Sequence, residues 1–285
     1  MPELPEVQTV VNHLAGNIIG KVFFDSEVKA PKMVSRGFQQ KLKGRKVIGV
    51  ERRAKMIVIN LSKEYLLVHL KMTGQLVFVD KEGKATGGGH PITSEDFKIH
   101  EVGRFTHIIL NFKDGSRLLF HDVRKFGWMK LASQAELEAI SERHGVEPLS
   151  KDFSLKKFKE ILGRRPNLKI KQLLLDQSLI AGIGNIYADE SLFAAGIRPN
   201  RRAGILKDIE ITKLHQAIIK NLKAAIKLGG TSVNTFVSSS GQRGKFVEKL
   251  QVYGRGGKRC FNCNSILQKI KLAGRGTVYC PKCQK

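Results

Sequence analysis

The 285-residue sequence has few acids and few aromatic residues, and it contains no long apolar run. Asp and Glu number 25 against 50 Lys and Arg, which gives a net charge of +25. No segment approaches the roughly 18 apolar residues of a membrane-spanning helix, and acids near the start argue against a secretory signal. We find neither a basic amphipathic helix nor a lipidation motif, so a nucleic acid is a better polyanionic partner than a membrane. We therefore expect a cytoplasmic, nucleoid-associated protein.

Cysteine is absent from the chain before position 260. The four cysteines form two C-x2-C pairs, Cys260 with Cys263 and Cys280 with Cys283, and sixteen residues separate the pairs. Close thiol pairs around a hairpin-sized loop are typical of tetrahedral zinc sites, and a disulfide or redox-active pair is the alternative. Residues 251–285 hold eight basic residues and no acid. The sequence thus predicts a small basic ribbon whose folding depends on one structural Zn2+.

Hydrophobic periodicity divides the rest of the chain. Strand-like patterns run from about Lys21 to Leu131, and helical patterns run from about Ser133 to Leu228. The first residues read as a helix that has Pro5 near its start and ends at Gly16. Segment 81–91, KEGKATGGGHP, reads as a flexible insertion between strands. We expect an antiparallel sandwich or barrel behind one helix, followed by a helical part and the ribbon.

Several motifs allow a structural and a functional interpretation. Glu3 and Glu6 are either acids at the positive end of a helix dipole or a catalytic pair. Lys55 is either a solvated edge charge or a lysine that faces a bound polyanion. Glycines before a helix that begins near Asn185 indicate either a plain helix junction or a phosphate site, and the charge favours the latter.

Two loop-like motifs are HLKMTG and HDVRKFGW. Met72 and Phe126 would by default belong to the hydrophobic core. Their positions beside turns and basic residues instead favour an apolar wedge, used together with Arg124 to open a base step in DNA.

These motifs together resemble those of the bacterial formamidopyrimidine-DNA glycosylases over the whole chain. In order, they are PELPEV, ERRAK, HLKMTG, DVRKFG, LLLDQ with AGIGNIYADESLF, QVYGR, and the cysteine pairs with GRGTVYCPKCQK. The resemblance implies an α+β, multidomain fold with an N-terminal antiparallel β-sandwich and N-terminal helix, a helical domain with a helix–two-turn–helix element, and a β-hairpin zinc finger. We expect a catalytic domain at 1–132, a helical domain at 133–236, a lesion-closing loop and linker at 237–250, and the zinc finger at 251–285.

By this resemblance, removal of Met1 exposes the secondary amine of Pro2 as the nucleophile. Glu3 would protonate the sugar ring oxygen, and Glu6 would support it through a positioned water or the amine. Lys55 and Arg275 would serve as proton donors in β- and δ-elimination. The resemblance also implies DNA contacts, which we place at His69, Met72, Arg124, Phe126, Lys171, Asn185 and Tyr253.

The chain departs from the family pattern at two positions. Phe105 stands where the family often has a DNA-contacting histidine, and we assign it no contact. Asn167 stands where the family has a basic residue, for which Lys169 or Lys171 would compensate.

The resemblance implies a bifunctional DNA glycosylase and abasic-site lyase that removes oxidised purines, namely 8-oxoguanine and formamidopyrimidines, and then cuts the strand by β,δ-elimination. Its partner would be double-stranded DNA that contains such lesions or abasic sites, and we expect a monomer. The alternatives are an endonuclease VIII-like enzyme for oxidised pyrimidines, which typically begins P-E-G-P-E where this chain has Leu4, and a non-catalytic zinc-ribbon protein that binds nucleic acid.

Overall fold

The computed structural model of the chain describes residues 1–89, 98–231, 237–238 and 244–285. The chain packs into two compact units. We call Met1–Ser141 with Leu228–Lys245 the β unit, and Glu142–Lys227 with Phe246–Lys285 the helical unit. Within the described ranges, no helix is both long and apolar enough to cross a membrane.

The described residues of the β unit form antiparallel strands and three α-helices. The strands are β1 (Phe23–Val28), β2 (Val47–Arg53), β3 (Met56–Leu61), β4 (Tyr65–His69), β5 (Gly74–Val79), β6 (Ala85–Gly89), β7 (Thr106–Phe112), β8 (Arg117–Asp122), β9 (Trp128–Ala132) and β10 (Val237–Ser238). The helices are α1 (Leu4–Ile18), α2 (Phe38–Leu42) and α3 (Gln134–Glu142). One sheet has the order β1-β7-β8-β5-β6-β10 and the other has the order β2-β3-β4-β9.

Both sheets and α1 contribute to one hydrophobic core. Val7, Val10 and Leu14 of α1 recur at helical spacing and are fully buried in that core. Strand β3 is buried on both faces, because Ile57 and Ile59 point into the main core while Met56 and Val58 lie in a second cluster that α3 covers. The α+β sandwich with an N-terminal helix is therefore confirmed.

Two local expectations are wrong. Helix α1 continues through Gly16 to Ile18, because burial of the Ile18 side chain in the core stabilises the additional residues of the helix. Segment 81–91 contains strand β6, which pairs with β5 from Val79↔Ala85 to Gln75↔Gly89. An added Cβ at Gly87 would lie 2.3 Å from the Leu76 carbonyl oxygen, so this glycine permits close strand pairing rather than flexibility.

The helical unit contains four helices and one hairpin. They are α4 (Leu155–Arg164), α5 (Ile170–Leu175), α6 (Asn185–Ala194), α7 (Asp208–Lys227), β11 (Gln268–Leu272) and β12 (Arg275–Tyr279). Helix α5 ends at Leu175 with Asp176 as its C-cap, and α6 starts at Asn185, close to the boundaries that the sequence predicts. The predicted hairpin between the cysteine pairs is also present, since β11 pairs with β12 from Gln268↔Tyr279 to Leu272↔Arg275.

Helix α3 falls in the predicted helical segment 133–236, but it packs with the β unit. Leu137 and Ile140 of this helix pack against the β-sandwich cluster, so α3 lies with the β unit up to Ser141. Leu228–Lys245, which follow α7, also belong to the β unit. The predicted division into four segments is drawn by functional role, whereas the two units are defined by packing. The four-segment division therefore stays a prediction.

Candidate active site and nucleic-acid interface

The start of α1 is buried and held by its own acids. Pro2 and Glu3 are buried, and Glu3 is the N-cap of the helix in a capping box with Glu6. The Glu3 backbone N–H donates to Glu6 Oε2 at 2.9 Å. This arrangement fixes the direction in which the chain enters the helix, and with it the position of Pro2.

The second oxygen of Glu6 binds a segment far away in sequence. The Thr231 backbone N–H donates to Glu6 Oε1 at 2.8 Å. Gly230 has a φ of +84°, and a Cβ there would lie 3.1 Å from the same oxygen, so the close approach requires glycine. Glu6 thus joins the N-terminus to the residues that follow α7, and its geometry is that of a residue that positions Pro2 and Glu3.

Lys55 lies in the two-residue turn between β2 and β3. The turn is closed by the pair Arg53↔Met56, and Ala54 adopts a left-handed φ of 53°. The side chain of Lys55 is only 7% exposed, which excludes a solvated edge charge. Arg52, which the sequence did not single out, donates to Ala54 O at 2.9 Å and to Gln8 Oε1 at 3.0 Å. It therefore ties the lysine's turn to helix α1.

Met72, Arg124 and Phe126 lie on two loops that run side by side. One loop leads from β4 to β5 and the other from β8 to β9, so each crosses from one sheet to the other. Register brings them together, because His69 pairs with Trp128 at one end and Gly74 pairs with Asp122 at the other.

These three side chains are exposed rather than part of the core. Met72 is 39% exposed and Phe126 is 53% exposed. The Arg124 guanidinium carbon lies 4.5 Å from the centroid of the Phe126 ring, in a cation–π contact. The default core interpretation is wrong here, and the geometry suits an arginine-backed apolar wedge.

His69 ends β4 at the start of the first of these loops. Its Nδ1 accepts the Lys71 backbone N–H at 3.0 Å, so in the neutral ring Nε2 carries the proton and is the donor. Such a donor can bind a phosphate oxygen.

The helical unit holds Asn185 at the start of α6. Gln177 supports the preceding turns by donating to Ile183 O at 2.8 Å and accepting from the Gly182 backbone N–H at 3.0 Å. Asn185 Nδ2 donates to Gly276 O at 2.9 Å. The side chain of Asn185 thus links the start of α6 to β12, and a helix N-terminus of this kind favours a phosphate.

Lys171 does not have the environment of a DNA contact, and that prediction is wrong for the folded chain. Its side chain is fully buried and its Nζ lies 2.6 Å from Asp189 Oδ1. The same ammonium donates to Thr277 Oγ1 at 2.7 Å and to Gly276 O at 3.1 Å. A buried lysine requires such partners, and here they attach β12 to α5 and α6.

The acids of α6 hold strand β12 and the segment that carries Tyr253, a DNA-contact candidate. Asp189 Oδ2 accepts the Val278 N–H at 3.1 Å, and burial raises the Asp189 pKa to about 6 although Lys171 opposes the shift. The Glu190 carboxylate accepts the backbone N–H groups of residues 251–253, including that of Tyr253 at 2.8 Å. Burial also raises the Glu190 pKa, and these three bonds oppose it. Sequence reasoning missed both acids, although they lie within the motif NIYADESLF.

Arg275 lies at the tip of the β11–β12 hairpin and is exposed. The two turn residues, Ala273 and Gly274, have positive φ angles of 47° and 75°. This backbone is typical of the tight turns that match strand twist, and it sets Arg275 directly opposite Leu272.

The four cysteines fit one tetrahedral metal ion. Their Sγ atoms all lie within 4.8 Å of one another, with Cys260 to Cys283 at 3.9 Å and Cys263 to Cys280 at 3.4 Å. A tetrahedron with Zn–S bonds of about 2.3 Å has edges of about 3.8 Å. The thiolate set and spacing therefore suit one structural Zn2+ at the base of the hairpin.

Comparison with known proteins decides the family. Residues 1–129 match the formamidopyrimidine-DNA glycosylase N-terminal domain, residues 144–237 match the H2TH domain of the same enzymes, and residues 257–285 match the zinc finger found in FPG and IleRS. The chain belongs to the formamidopyrimidine-DNA glycosylase family.

Individual relatives agree over the full length. The chain is 39% identical to the formamidopyrimidine-DNA glycosylase of Streptococcus mutans, with both sequences fully covered. It superposes with a TM-score of 0.86 on a mutant of the Lactococcus lactis enzyme bound to Fapy-dG DNA, at 37% identity and 100% coverage of both chains. The wild-type Lactococcus lactis enzyme bound to DNA with an oxidised pyrimidine gives a TM-score of 0.85 at 36% identity, also with 100% coverage of both chains.

Proposed function

We propose that this base-excision glycosylase and abasic-site lyase removes oxidised purines by nucleophilic attack from the nitrogen of Pro2 after Met1 is lost. An α-amino group titrates near pH 8, at about 7.7 to 8.0, so a useful share is uncharged at neutral pH, unlike lysine. The observation that carries the proposal is the buried Pro2–Glu3 pair at the capped start of α1 in a chain of this family.

The reaction starts with attack of the Pro2 nitrogen on C1′ of the damaged nucleotide. The N–C1′ bond forms as the glycosidic bond breaks, and the base leaves with the proton that the Pro2 nitrogen loses. Glu3 then gives a proton to the sugar ring oxygen as the bond from C1′ to that oxygen breaks and the ring opens. A secondary amine then yields a cationic iminium, which acts as an electron sink and acidifies the proton on C2′. Loss of that proton breaks the C3′–O bond, and a second elimination breaks the C5′–O bond.

The remaining candidate residues hold the DNA in the required shape. Lys55 and Arg275 supply protonated groups for the two eliminations and contact phosphates beside the lesion. Extrusion of the damaged nucleotide costs a few kcal/mol. Met72, Arg124 and Phe126 occupy the vacated space, with Arg124 on the orphaned cytosine, and His69, Asn185 and Tyr253 bind the phosphate backbone.

Residues 239–243 of the predicted lesion-closing loop at 237–250 lie outside the described residues. We keep its proposed role, together with the segment boundaries at 1–132, 133–236 and 251–285. We also propose that the protein acts as a monomer on nucleoid DNA in the cytoplasm, has no membrane partner, and loads one structural Zn2+.

The nucleophile is tested with an N-terminal tag that a protease can remove to leave Pro2 first. Tagged and cleaved protein are incubated with abasic-site DNA and borohydride, which traps an imine as a stable covalent adduct. We expect the adduct only after cleavage of the tag. An equal adduct with the tag in place would exclude Pro2, and absence of any adduct would favour the non-catalytic zinc-ribbon alternative.

The substrate class is tested on the cleaved protein with paired duplexes. The comparison is necessary because the similar Lactococcus lactis enzyme has been seen bound to DNA with an oxidised pyrimidine. We expect faster single-turnover nicking of 8-oxoguanine opposite cytosine than of thymine glycol. The reverse order would support the endonuclease VIII-like alternative.

A further inference from the structure

Asp122 is a fully buried carboxylate at the end of β8, and the groups that bond to it are neutral. Its Oδ1 accepts the Thr73 hydroxyl and the Arg124 backbone N–H, the latter at 3.0 Å. Its Oδ2 accepts the Gly127 backbone N–H at 2.7 Å. A buried charge is costly unless its hydrogen bonds are well made, so these contacts hold each other in one arrangement.

The two bonds to backbone amides fix the shape of the Arg124–Phe126 loop. They span residues 124 to 127, so one carboxylate closes the turn from both ends. Lys125 adopts a left-handed φ of 56° in between. A Cβ at Gly127 would lie 2.6 Å from Phe120 Cζ and 3.0 Å from Asp122 Oδ2, so the loop returns to the sheet with no room to spare.

The third bond reaches the loop that carries Met72. Thr73 is 9% exposed, and its hydroxyl donates to Asp122 and accepts the Arg124 N–H at 3.2 Å. The hydroxyl thus ties the loop that carries Met72 both to Asp122 and to the loop that carries Arg124. Thr73 follows Met72 directly, so this bond sets the distance between Met72 and the Arg124–Phe126 pair.

The backbone of Asp122 is itself anchored in the sheet. Its N–H donates to Phe105 O at 2.9 Å, and its carbonyl oxygen accepts from His107 Nε2 at 2.8 Å. His107 is 5% exposed. The carboxylate is therefore a fixed point in the β unit, from which both loops are held.

The geometry points to Asp122 and Thr73 as positioning residues that keep Met72, Arg124 and Phe126 in the arrangement needed to fill the space of an extruded base. The inference rests on the proposed function. A wedge that must enter a base step gains from being ordered before binding, because ordering two loops during binding would reduce the free energy left for opening the stack. Neither residue contacts the DNA in this role.

The matched test pair is Thr73→Val and Thr73→Ser. Valine keeps the shape of threonine and removes the hydroxyl, whereas serine keeps the hydroxyl and removes the methyl group. Asp122→Asn is the second variant, and Asp114→Asn, which changes a half-exposed turn acid, is the control. Circular dichroism and the melting temperature establish that each variant is folded.

Two readouts separate positioning from chemistry. The first is single-turnover excision of 8-oxoguanine opposite cytosine in a duplex with 2-aminopurine next to the lesion, whose fluorescence reports opening of the stack. The second is borohydride trapping on single-stranded abasic-site DNA, where no stack has to open. Loss of a hydrogen bond to a charged group predicts a reduction on the order of tenfold to a hundredfold in the first readout for Thr73→Val.

We expect Thr73→Val and Asp122→Asn to lose stack opening and duplex excision, while their trapping on single strands stays at the wild-type level. Thr73→Ser, which keeps the hydroxyl, should retain both stack opening and duplex excision. Wild-type behaviour of Thr73→Val in the duplex would overturn the inference, as would an equal loss in both readouts. Failure of the wild-type protein itself to trap or excise would instead overturn the proposed function, and the inference with it.

Discussion

At the scale of single residues, Glu6 closes the capping box of α1 and also binds a segment that follows α7. Its two carboxylate oxygens accept the backbone N–H groups of Glu3 and Thr231. The sequence showed the spacing of Glu3 and Glu6 but could not show Thr231, which is 225 positions away. The structural interpretation of the N-terminal acids therefore holds for Glu6, and its catalytic role stays a prediction.

Substitution Glu6→Gln should destabilise the protein and weaken borohydride trapping together. Glutamine keeps one acceptor oxygen, so one of the two buried backbone N–H groups loses its partner at a cost of about 1 to 3 kcal/mol. Chemical denaturation gives the loss of unfolding free energy. Glu27→Gln, at a largely exposed position, is the control and should change neither quantity. Unchanged stability of Glu6→Gln would show that the two bonds do not matter.

His121 should make the β unit sensitive to mild acid. Its Nε2 lies 3.0 Å from Ile99 O and its Nδ1 lies 3.0 Å from Thr106 Oγ1, and burial lowers its pKa from 6.5 to about 4. Below pH 6.5 His121 takes up a proton in the unfolded chain but stays neutral in the folded chain. The free energy of unfolding therefore falls as the pH drops from 6.5 towards 4. The loss should reach about 3 kcal/mol.

The measurement is the free energy of unfolding of wild type and His121→Gln at several pH values between 7 and 4. Glutamine can donate to Ile99 O as Nε2 does but cannot take up a proton. We expect the wild-type curve to fall more steeply than that of the variant. Parallel curves would mean that His121 does not titrate as its burial indicates.

At the scale of elements, long-range partners explain what the pattern of the sequence missed. Lys171 reads as one more basic residue in a chain of net charge +25, yet its position on the inner face of α5 places it against Asp189 of α6. Segment 81–91 reads as flexible because glycine is common in loops, yet Gly87 and Gly89 allow β6 to pair closely with β5. In both cases the residue's environment is set by a neighbour on another helix or strand, which the local sequence pattern does not show.

The substitution Lys171→Met should destabilise the helical unit by about 3 to 5 kcal/mol, because it leaves Asp189 buried without its cation. The double variant with Asp189→Asn should recover much of that loss. Thermal unfolding of the single and double variants measures both effects.

A phosphate-contact role for Lys171 predicts a different result. Stability would then stay unchanged, and the slope of log affinity against log salt on duplex DNA would fall by about 0.9. Salt titrations of the single and double variants distinguish the two accounts. We expect the double variant, once its fold is restored, to keep the wild-type slope.

At the scale of the whole molecule, the sequence predicts the fold class and the family more completely than it predicts single contacts or the packing of single elements. The order of motifs, the strand-rich and helix-rich regions, and the cysteine pairs are all local signals, and each is confirmed by the fold or the family match. The network around Asp122 and Thr73 is not a local signal, since the two residues are 49 positions apart. Only the adjacent register of the two sheet-crossing loops brings them together.

Zinc removal should separate the ribbon from the rest of the molecule. The ribbon's small core, including Val252, Leu267 and Val278, packs with the cysteines, so it should unfold when the ion is chelated. We expect loss of binding to undamaged duplex, measured by fluorescence anisotropy, while the strand signal in circular dichroism stays. Zinc added back should restore binding. Normal duplex binding by metal-free protein would contradict the proposed role of the ribbon.

The measurement that tests the central claim most directly is mass spectrometry of the borohydride-trapped complex of the tag-free protein with 8-oxoguanine DNA. After digestion, the account predicts a deoxyribose remnant on the N-terminal peptide, attached to the nitrogen of Pro2, with Met1 absent. A remnant attached to Lys55 or to any other side chain would contradict it.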